Sequence, residues 1–299
     1  MSAVTNEILR AGRFTPAASY QKFAYACAAL LLVSGVLHGF VYLIDGGAWE
    51  GPVSWRKPIV FGLSFGITLM TISWIAGLMR MRTVTGWITL GVLSVASLVE
   101  VFLITMQRWR GVASHFNEST PFDAAVFNLM GTMVAFVAVT TIFLTVRSFW
   151  PMDAPPSLAW AIRLGLALLL VSQNVGVQMI AEGASTFGAA GALKVPHALT
   201  LHALQVLPAL ALLLVIAEFT ESQRLEIVAI AGVGYGLLVG STMAQAYAGL
   251  APLEPSNLAV SLAVSGLVVL AVCVGITVRG VAHHVHPPTP PRHLPGPVA

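Results

Sequence analysis

Charged residues are scarce in this chain. Asp, Glu, Lys and Arg together make up 9% of its 299 residues, whereas a soluble domain carries roughly 25%. Hydrophobic residues account for 57% of the sequence, and the mean hydropathy is +0.85. This composition excludes a soluble globular protein and predicts a membrane protein whose main partner is the lipid bilayer.

Several motifs that would name a chemistry are also absent. The sequence has no Walker loop, no GxGxxG opening and no CxxC or CxxCH. Nucleotide-driven transport and covalent attachment of c-type haem are therefore excluded. The two cysteines, Cys27 and Cys273, are interpreted as packing residues. Because no run of basic residues occurs, we predict no nucleic-acid partner.

Long apolar runs are what the sequence does contain. Eight of them reach the about 20 residues that an α-helix needs to cross the hydrocarbon core of a bilayer. They lack the two-residue alternation that is typical of barrel strands. The sequence therefore predicts an all-α integral membrane protein with eight transmembrane helices. The predicted spans are 23–44, 58–79, 84–107, 122–146, 157–180, 197–219, 225–248 and 257–278.

The first half of the chain resembles the second. Residues 31–111 reappear with a shift of 138 positions at 169–249, so that Pro58 returns as Pro196, and the shift then drops to 134. A constant offset across consecutive apolar segments indicates a tandem duplication of a four-helix unit. Since each unit has an even number of spans, both copies have the same orientation and are related by a pseudo-twofold axis along the membrane normal.

The distribution of Lys and Arg predicts the orientation of the chain. With the N-terminus inside, ten of these residues lie on the inner side and five on the outer side, an excess that predicts cytoplasmic termini in the cell membrane. The inner set is Arg10, Arg13, Lys22, Arg80, Arg82, Arg147, Arg163, Arg224, Arg279 and Arg292, and the outer set is Arg56, Lys57, Arg108, Arg110 and Lys194. The predicted parts are a cytoplasmic N-terminal segment 1–22, a first repeat 23–147, a second repeat 157–280 and a disordered, His- and Pro-rich tail 281–299.

Three ionisable residues lie inside the predicted spans at one depth. Glu100 and His38 each come seven residues before the outer end of a span, about 10 Å deep at a rise of 1.5 Å per residue. His202 comes six residues after Pro196, about 9 Å deep. An exposed carboxylate in hydrocarbon costs at least about 2.5 kcal/mol. We therefore expect the three side chains to face inward and to share one cavity that opens to the outer side.

Their roles follow from their residue types. We interpret Glu100 as a catalytic group that accepts or relays a proton, and His38 and His202 as ligands of a cofactor or a metal ion. The counterpart of Glu100 in the second repeat is Leu238, so the predicted site is asymmetric. The same residues also fit a structural role, in which a protonated acid and neutral imidazoles form hydrogen bonds between helices.

Three glutamines belong to the same prediction. Gln205 follows His202 at a spacing of three residues, and Gln107 and Gln245 occupy matching positions in the two repeats. A spacing of three places Gln205 and His202 on neighbouring positions of one helix face. We include all three glutamines among the residues that bind a cofactor or a ligand.

The loop after the third span carries a further cluster. Arg108, Arg110 and His115 lie beside the aromatic Trp109 and Phe116. Guanidinium and imidazole groups in such a cluster bind anions such as a carboxylate, a phosphate or a haem propionate. Trp and Arg are also the usual anchors of a helix at the membrane interface, so anchoring is the alternative interpretation.

Three functions are compatible with these residues. In the first, the protein binds a redox cofactor, with haem, a metal ion or a quinone as candidates, through His38 and His202, and Glu100 handles a proton. In the second, the protein is a proton-coupled carrier or channel for a small solute, in which Glu100 titrates and Gln107 and Gln245 form a polar gate. In the third, it is a structural membrane subunit without its own chemistry.

Overall fold

The computed structural model describes residues 18–254 and 256–285, with side chains up to residue 282. The predicted N-terminal segment lies almost entirely outside the described residues, and so does the predicted tail from residue 286 onward.

Eight long helices form this part of the chain. They are α1 (Ser19–Asp45), α2 (Arg56–Leu78), α3 (Thr83–Trp109), α4 (Pro121–Arg147), α5 (Pro156–Ala181), α6 (Lys194–Ile216), α7 (Glu221–Tyr247) and α8 (Asn257–Val285). All eight are long and apolar enough to cross a bilayer. The predicted number and order of spans are therefore confirmed for the described residues, and the chain is an all-α polytopic membrane protein in its main architecture.

Two local features interrupt the regular helices. Residues Trp87–Gly91 of α3 form a π-helical turn between two α-helical segments. Between α5 and α6, the short strands β1 (Thr186–Phe187) and β2 (Gly191–Ala192) pair antiparallel. The hydropathy pattern predicted neither feature, because both are set by local backbone geometry.

One apolar core joins the eight helices, and α2, α3 and α6 are the most buried of them. Helices α1 and α8 lie at the periphery, since most of their surface is exposed. Such an apolar exposed surface faces lipid in a membrane protein. Both cysteines are free and buried in this core, as predicted. Each helix contributes at least one residue, for example Leu31, Leu69, Leu90, Leu144, Leu166, Leu207, Val228 and Cys273.

Two pairs of helices that lie 138 residues apart in the sequence are each followed by a residue with positive φ. Helices α2 and α6 begin and end 138 residues apart, and so do α3 and α7. After α2, Arg80 has a φ of 46°, and after α6, Glu218 has a φ of 59°. After α3, Gly111 has a φ of 72°, and after α7, Gly249 has a φ of 70°. Non-glycine residues seldom adopt positive φ values, so the match of Arg80 and Glu218 is specific.

Helices α1 and α2 approach each other at glycines. A Cβ atom on Gly35 would lie 2.9 Å from the backbone nitrogen of Leu63 and 3.1 Å from the carbonyl oxygen of Ile59. One turn further along the same helix, Gly39 has no neighbouring atom within 4 Å of such a Cβ. Small residues of this kind allow two transmembrane backbones to pack closely.

We predict that Gly35→Ala destabilises the protein by about 1–3 kcal/mol, because the added methyl group pushes the α2 backbone away. Gly39→Ala is the matched control and should be neutral or stabilising by up to about 1 kcal/mol, since alanine favours the helix. The melting temperatures of both variants in detergent test this. Equal melting temperatures would contradict the close approach.

Candidate functional site

The site begins at Glu100, in the middle of α3. Its side chain is 2% exposed, and its oxygen Oε2 is buried without a hydrogen-bond partner among the described residues. Most buried polar groups in proteins are hydrogen-bonded, so an isolated one points to function or to strain. In a membrane span, an acidic side chain that faces the protein interior is most often functional.

His115, from the loop between α3 and α4, is the group that faces Glu100. Its Nε2 lies 3.9 Å from Oε1 of Glu100. This distance is longer than a hydrogen bond but short enough for a proton to pass after a small movement. The imidazole is held against the ring of Phe61 at 5.4 Å between centroids, and Phe116 lies 6.1 Å away on the loop. Glu100 and His115, both predicted to belong to the site, are therefore brought together.

Ser114 and Lys57 extend the contact toward the outer end of the bundle. Oγ of Ser114 lies 2.9 Å from Nδ1 of His115, and Nζ of Lys57 donates to the same oxygen at 3.4 Å. An ammonium has donors only, so the hydroxyl accepts from Lys57 and its own hydrogen is free for Nδ1. When the hydroxyl donates to Nδ1, the proton of a neutral imidazole is on Nε2, directed at Glu100.

Burial lowers the pKa of His115 well below its usual range, and the positive charge of Lys57 lowers that pKa further. His115 is therefore neutral near pH 7. A neutral imidazole can donate a proton through Nε2 while it accepts one through Nδ1. The chain from Lys57 to Glu100 thus has the chemistry of a proton relay.

The loop that carries His115 is fixed at both ends. Oδ1 of Asp123, in the first turn of α4, accepts from Nε2 of Gln107 at 2.9 Å and from Nη1 of Arg110 at 2.6 Å. Arg110 also donates to the side-chain oxygen of Gln107. Since the guanidinium of Arg110 is paired with a buried carboxylate, Gln107 and Arg110 connect α3 to α4 and hold the loop.

Gln245 performs the matching task at the end of α7. Its Nε2 donates to the carbonyl oxygens of Ala251 and Glu254, each at 2.7 Å, and its Oε1 accepts from the backbone nitrogen of Ser256 at 3.0 Å. The glutamine therefore fixes the connection to α8. Gln107 and Gln245 are each occupied in their own loop, and no hydrogen bond between the described residues joins them.

His38 lies in a different cluster. Its Nδ1 is 2.7 Å from the carbonyl oxygen of Ser34, and its Nε2 accepts from the indole nitrogen of Trp109 at 3.2 Å. Both ring nitrogens are thus hydrogen-bonded, and neither is free to ligate a metal ion or a haem iron. Arg108 completes the cluster, since it stacks at 3.8 Å on the ring of Trp55 and pairs with Asp45 at 3.3 Å. This arrangement matches interfacial anchoring by Trp and Arg.

His202 forms a third, separate group with Gln205. Its Nδ1 lies 3.3 Å from Oε1 of Gln205, and the Nε2 of that glutamine is buried without a partner. Within the described part of the chain, no hydrogen bond or ion pair links His202 or His38 to Glu100. The structure therefore distributes the three predicted residues over three sets of contacts, with Glu100 alone beside a loop imidazole.

No group of three or more His, Cys, Asp or Glu side chains suited to a metal ion occurs among the described residues. Two members of the relay, Lys57 and Ser114, were not among the predicted site residues. Lys57 offered a signal, because it is one of three lysines in the chain and directly precedes Pro58 at the outer start of α2.

The chain matches no known protein family, no curated protein and no solved structure.

Proposed function

We propose that the protein is a proton-linked membrane carrier in which Glu100 binds and releases the proton. The observation that carries this proposal is the buried carboxyl group of Glu100. Its Oε2 has no hydrogen-bond partner among the described residues, and its Oε1 lies 3.9 Å from Nε2 of His115. A structural acid would be expected to accept a hydrogen bond from a neighbouring helix. Glu100 accepts none from the described part of the chain, which leaves its carboxyl group free to exchange a proton.

The proton reaches Glu100 through His115. When the Nε2–O distance closes by about 1 Å to hydrogen-bond length, the imidazole passes its Nε2 proton to the carboxylate as Nδ1 takes the hydroxyl proton of Ser114. The hydroxyl proton is replaced from solvent or from the ammonium of Lys57 at the outer end. The net step delivers one proton to Glu100 and leaves His115 neutral, with its proton on Nδ1 instead of Nε2. The reverse step releases the proton.

The low polarity of the bilayer makes protonation the natural switch. An ionised carboxylate in hydrocarbon is costly, whereas the protonated acid is neutral. A carrier can use this difference. Protonated Glu100 is stable in a site that is closed to water, whereas ionised Glu100 requires a site that is open to water. Gln107 and Gln245 do not form the gate in this proposal, since the side chain of each is hydrogen-bonded within its own loop.

A second candidate is a quinone site at the same pair. The rings of Phe61 and Phe116 flank the imidazole of His115, and a planar quinone head group stacks on aromatic rings and accepts hydrogen bonds through its carbonyl oxygens. In this version, His115 and protonated Glu100 supply the donors. Titration with a soluble quinone would then perturb its ultraviolet spectrum in the native chain and not in Glu100→Gln. Haem or a metal ion at His38 and His202 has less support, because both nitrogens of His38 are engaged.

We also propose that residues 23–147 and 157–280 are tandem copies of one four-helix unit with the same orientation. The equal spacing of α2 and α6 and of α3 and α7 supports this, and so do the matching positive φ values that follow them. Both termini would then lie on the cytoplasmic side of the cell membrane. This agrees with the distribution of Lys and Arg, of which ten lie on the inner side and five on the outer side.

For the topology, we predict that Glu118→Cys reacts with a membrane-impermeant maleimide applied to intact cells, whereas Asp153→Cys reacts only after lysis. Both positions are exposed in loops, and the native cysteines are buried, so the background should be low. A single span, α4, separates the two positions, so labelling of both from the same side would contradict this topology.

For the function, we predict that Glu100→Gln lowers pH-gradient-driven proton uptake into proteoliposomes by roughly a hundredfold, the scale on which a positioned proton-transfer group contributes to a rate. The matched control is Glu118→Gln, which removes an exposed carboxylate from the loop that carries His115. This variant should leave uptake unchanged. A pH-sensitive dye trapped inside the vesicles measures both. Equal uptake by Glu100→Gln and the native chain would reject the proposal.

For stability, we predict that Glu100→Leu keeps or raises the melting temperature while it abolishes uptake. No hydrogen bond from the described residues goes to Glu100, so an apolar side chain of similar size breaks none of them and removes a desolvation cost. Leu238 already occupies the corresponding position of α7. A variant that melts early and still takes up protons would assign Glu100 to architecture.

A further inference from the structure

Lys57 has no counter-ion among the described residues. Its ammonium donates a hydrogen bond to the neutral hydroxyl of Ser114, and it forms no ion pair with any carboxylate in this part of the chain. The residue is half-buried at the start of α2. An ammonium carries three donors, so two remain available for a ligand. A partly buried charge of this kind is costly unless it is paired.

The surroundings of Lys57 are also positive. Arg56 and Lys194 lie close enough to repel its charge, and the two share a single carboxylate, Glu50, at 3.2 and 3.8 Å. Three cationic side chains are therefore balanced by one anionic side chain. Clefts lined by one sign of charge concentrate ligands of the opposite sign.

The other carboxylates at this end of the bundle already have partners. Asp45 is paired with Arg108, and Asp123 with Arg110. Neither relieves the charge of Lys57. The cluster formed by Arg56, Lys57 and Lys194, which we call the cationic mouth, keeps an excess of positive charge directly above the relay that leads to Glu100.

We propose that the cationic mouth binds a small monovalent anion at Lys57, and that this anion is the solute that the carrier moves together with the proton of Glu100. This inference rests on the proton-carrier function proposed above. It adds a binding site, made of the Lys57 ammonium, and a substrate class.

The charge balance of the loaded site explains why the two ligands travel together. The anion neutralises the ammonium of Lys57, and the proton neutralises the carboxylate of Glu100. A site in which both charges are compensated meets a smaller desolvation penalty in a low-dielectric surrounding than a site with either charge alone. One anion and one proton together carry no net charge, so their joint movement would not depend on the membrane potential. A cationic solute would be repelled at the mouth.

The test measures anion binding and proton uptake separately. Radiolabelled L-lactate and chloride serve as the probes, and binding to the full chain in nanodiscs is measured at pH 6. The native chain should bind at least one of the two probes and should not bind methylammonium. Lys57→Gln should weaken this binding by roughly tenfold or more, whereas Lys57→Arg should retain it because the charge is kept. Lys22→Gln, at the exposed opposite end of α1, is the matched lysine control.

Glu100→Gln distinguishes this inference from the carrier function itself. Since Gln resembles the protonated acid, this variant should still bind the anion while it fails to take up protons. If the native chain takes up protons through Glu100 but binds neither probe, the carrier stands and the anion site is overturned. Equal binding by Lys57→Gln and the native chain would also overturn it. If binding depends on Lys57 while Glu100→Gln keeps full proton uptake, the anion site stands and the carrier mechanism falls. Melting curves of each variant confirm that the chain is folded.

Discussion

The high energy of an unpaired charge in hydrocarbon governs the arrangement of this protein. Most ionised side chains of the described chain lie near helix ends or in loops, where several find opposite charges or carbonyl oxygens. Arg80 pairs with Asp153 at one end, and Arg110 with Asp123 at the other. Glu100 is the exception, because it lies in the middle of a helix and its Oε2 has no hydrogen-bond partner in the described part of the chain. The imidazole of His115 is the ionisable group beside it.

Gln107 and Gln245 each hold a loop at the end of a helix, but the two loops differ. Gln107 binds a carboxylate and thereby fixes a loop that carries a histidine inward. Gln245 binds carbonyl oxygens and fixes a shorter connection without a counterpart of His115. The glutamine thus has a structural task in both places, and the two segments that it holds carry different side chains. Only the segment held by Gln107 brings an imidazole beside a buried carboxyl group.

The sequence was sufficient to predict the helices but only part of the site. Each helix contains an apolar window of 18 residues, so hydropathy alone gave the number and order of the eight spans. Depth placed Glu100, His38 and His202 in one layer, yet depth carries no information on which neighbour each side chain meets. The position of His115 depends on a loop with positive φ values at Gly111 and Phe116, and no periodic pattern encodes such a path. Lys57 and Ser114 became recognisable as site residues only through their contacts with that loop.

The π-helical turn of α3 has a consequence for the direction in which Glu100 faces. A π turn holds one residue more than an α-helical turn, which rotates the rest of the helix by roughly 100°. Helix α7 has the same length as α3 but is α-helical throughout. The π turn ends at Gly91, on the N-terminal side of Glu100, so this wider turn contributes to the direction in which the acid faces. Leu238, 138 residues after Glu100, lies on a helix without such a turn and packs beside Gly266 of α8.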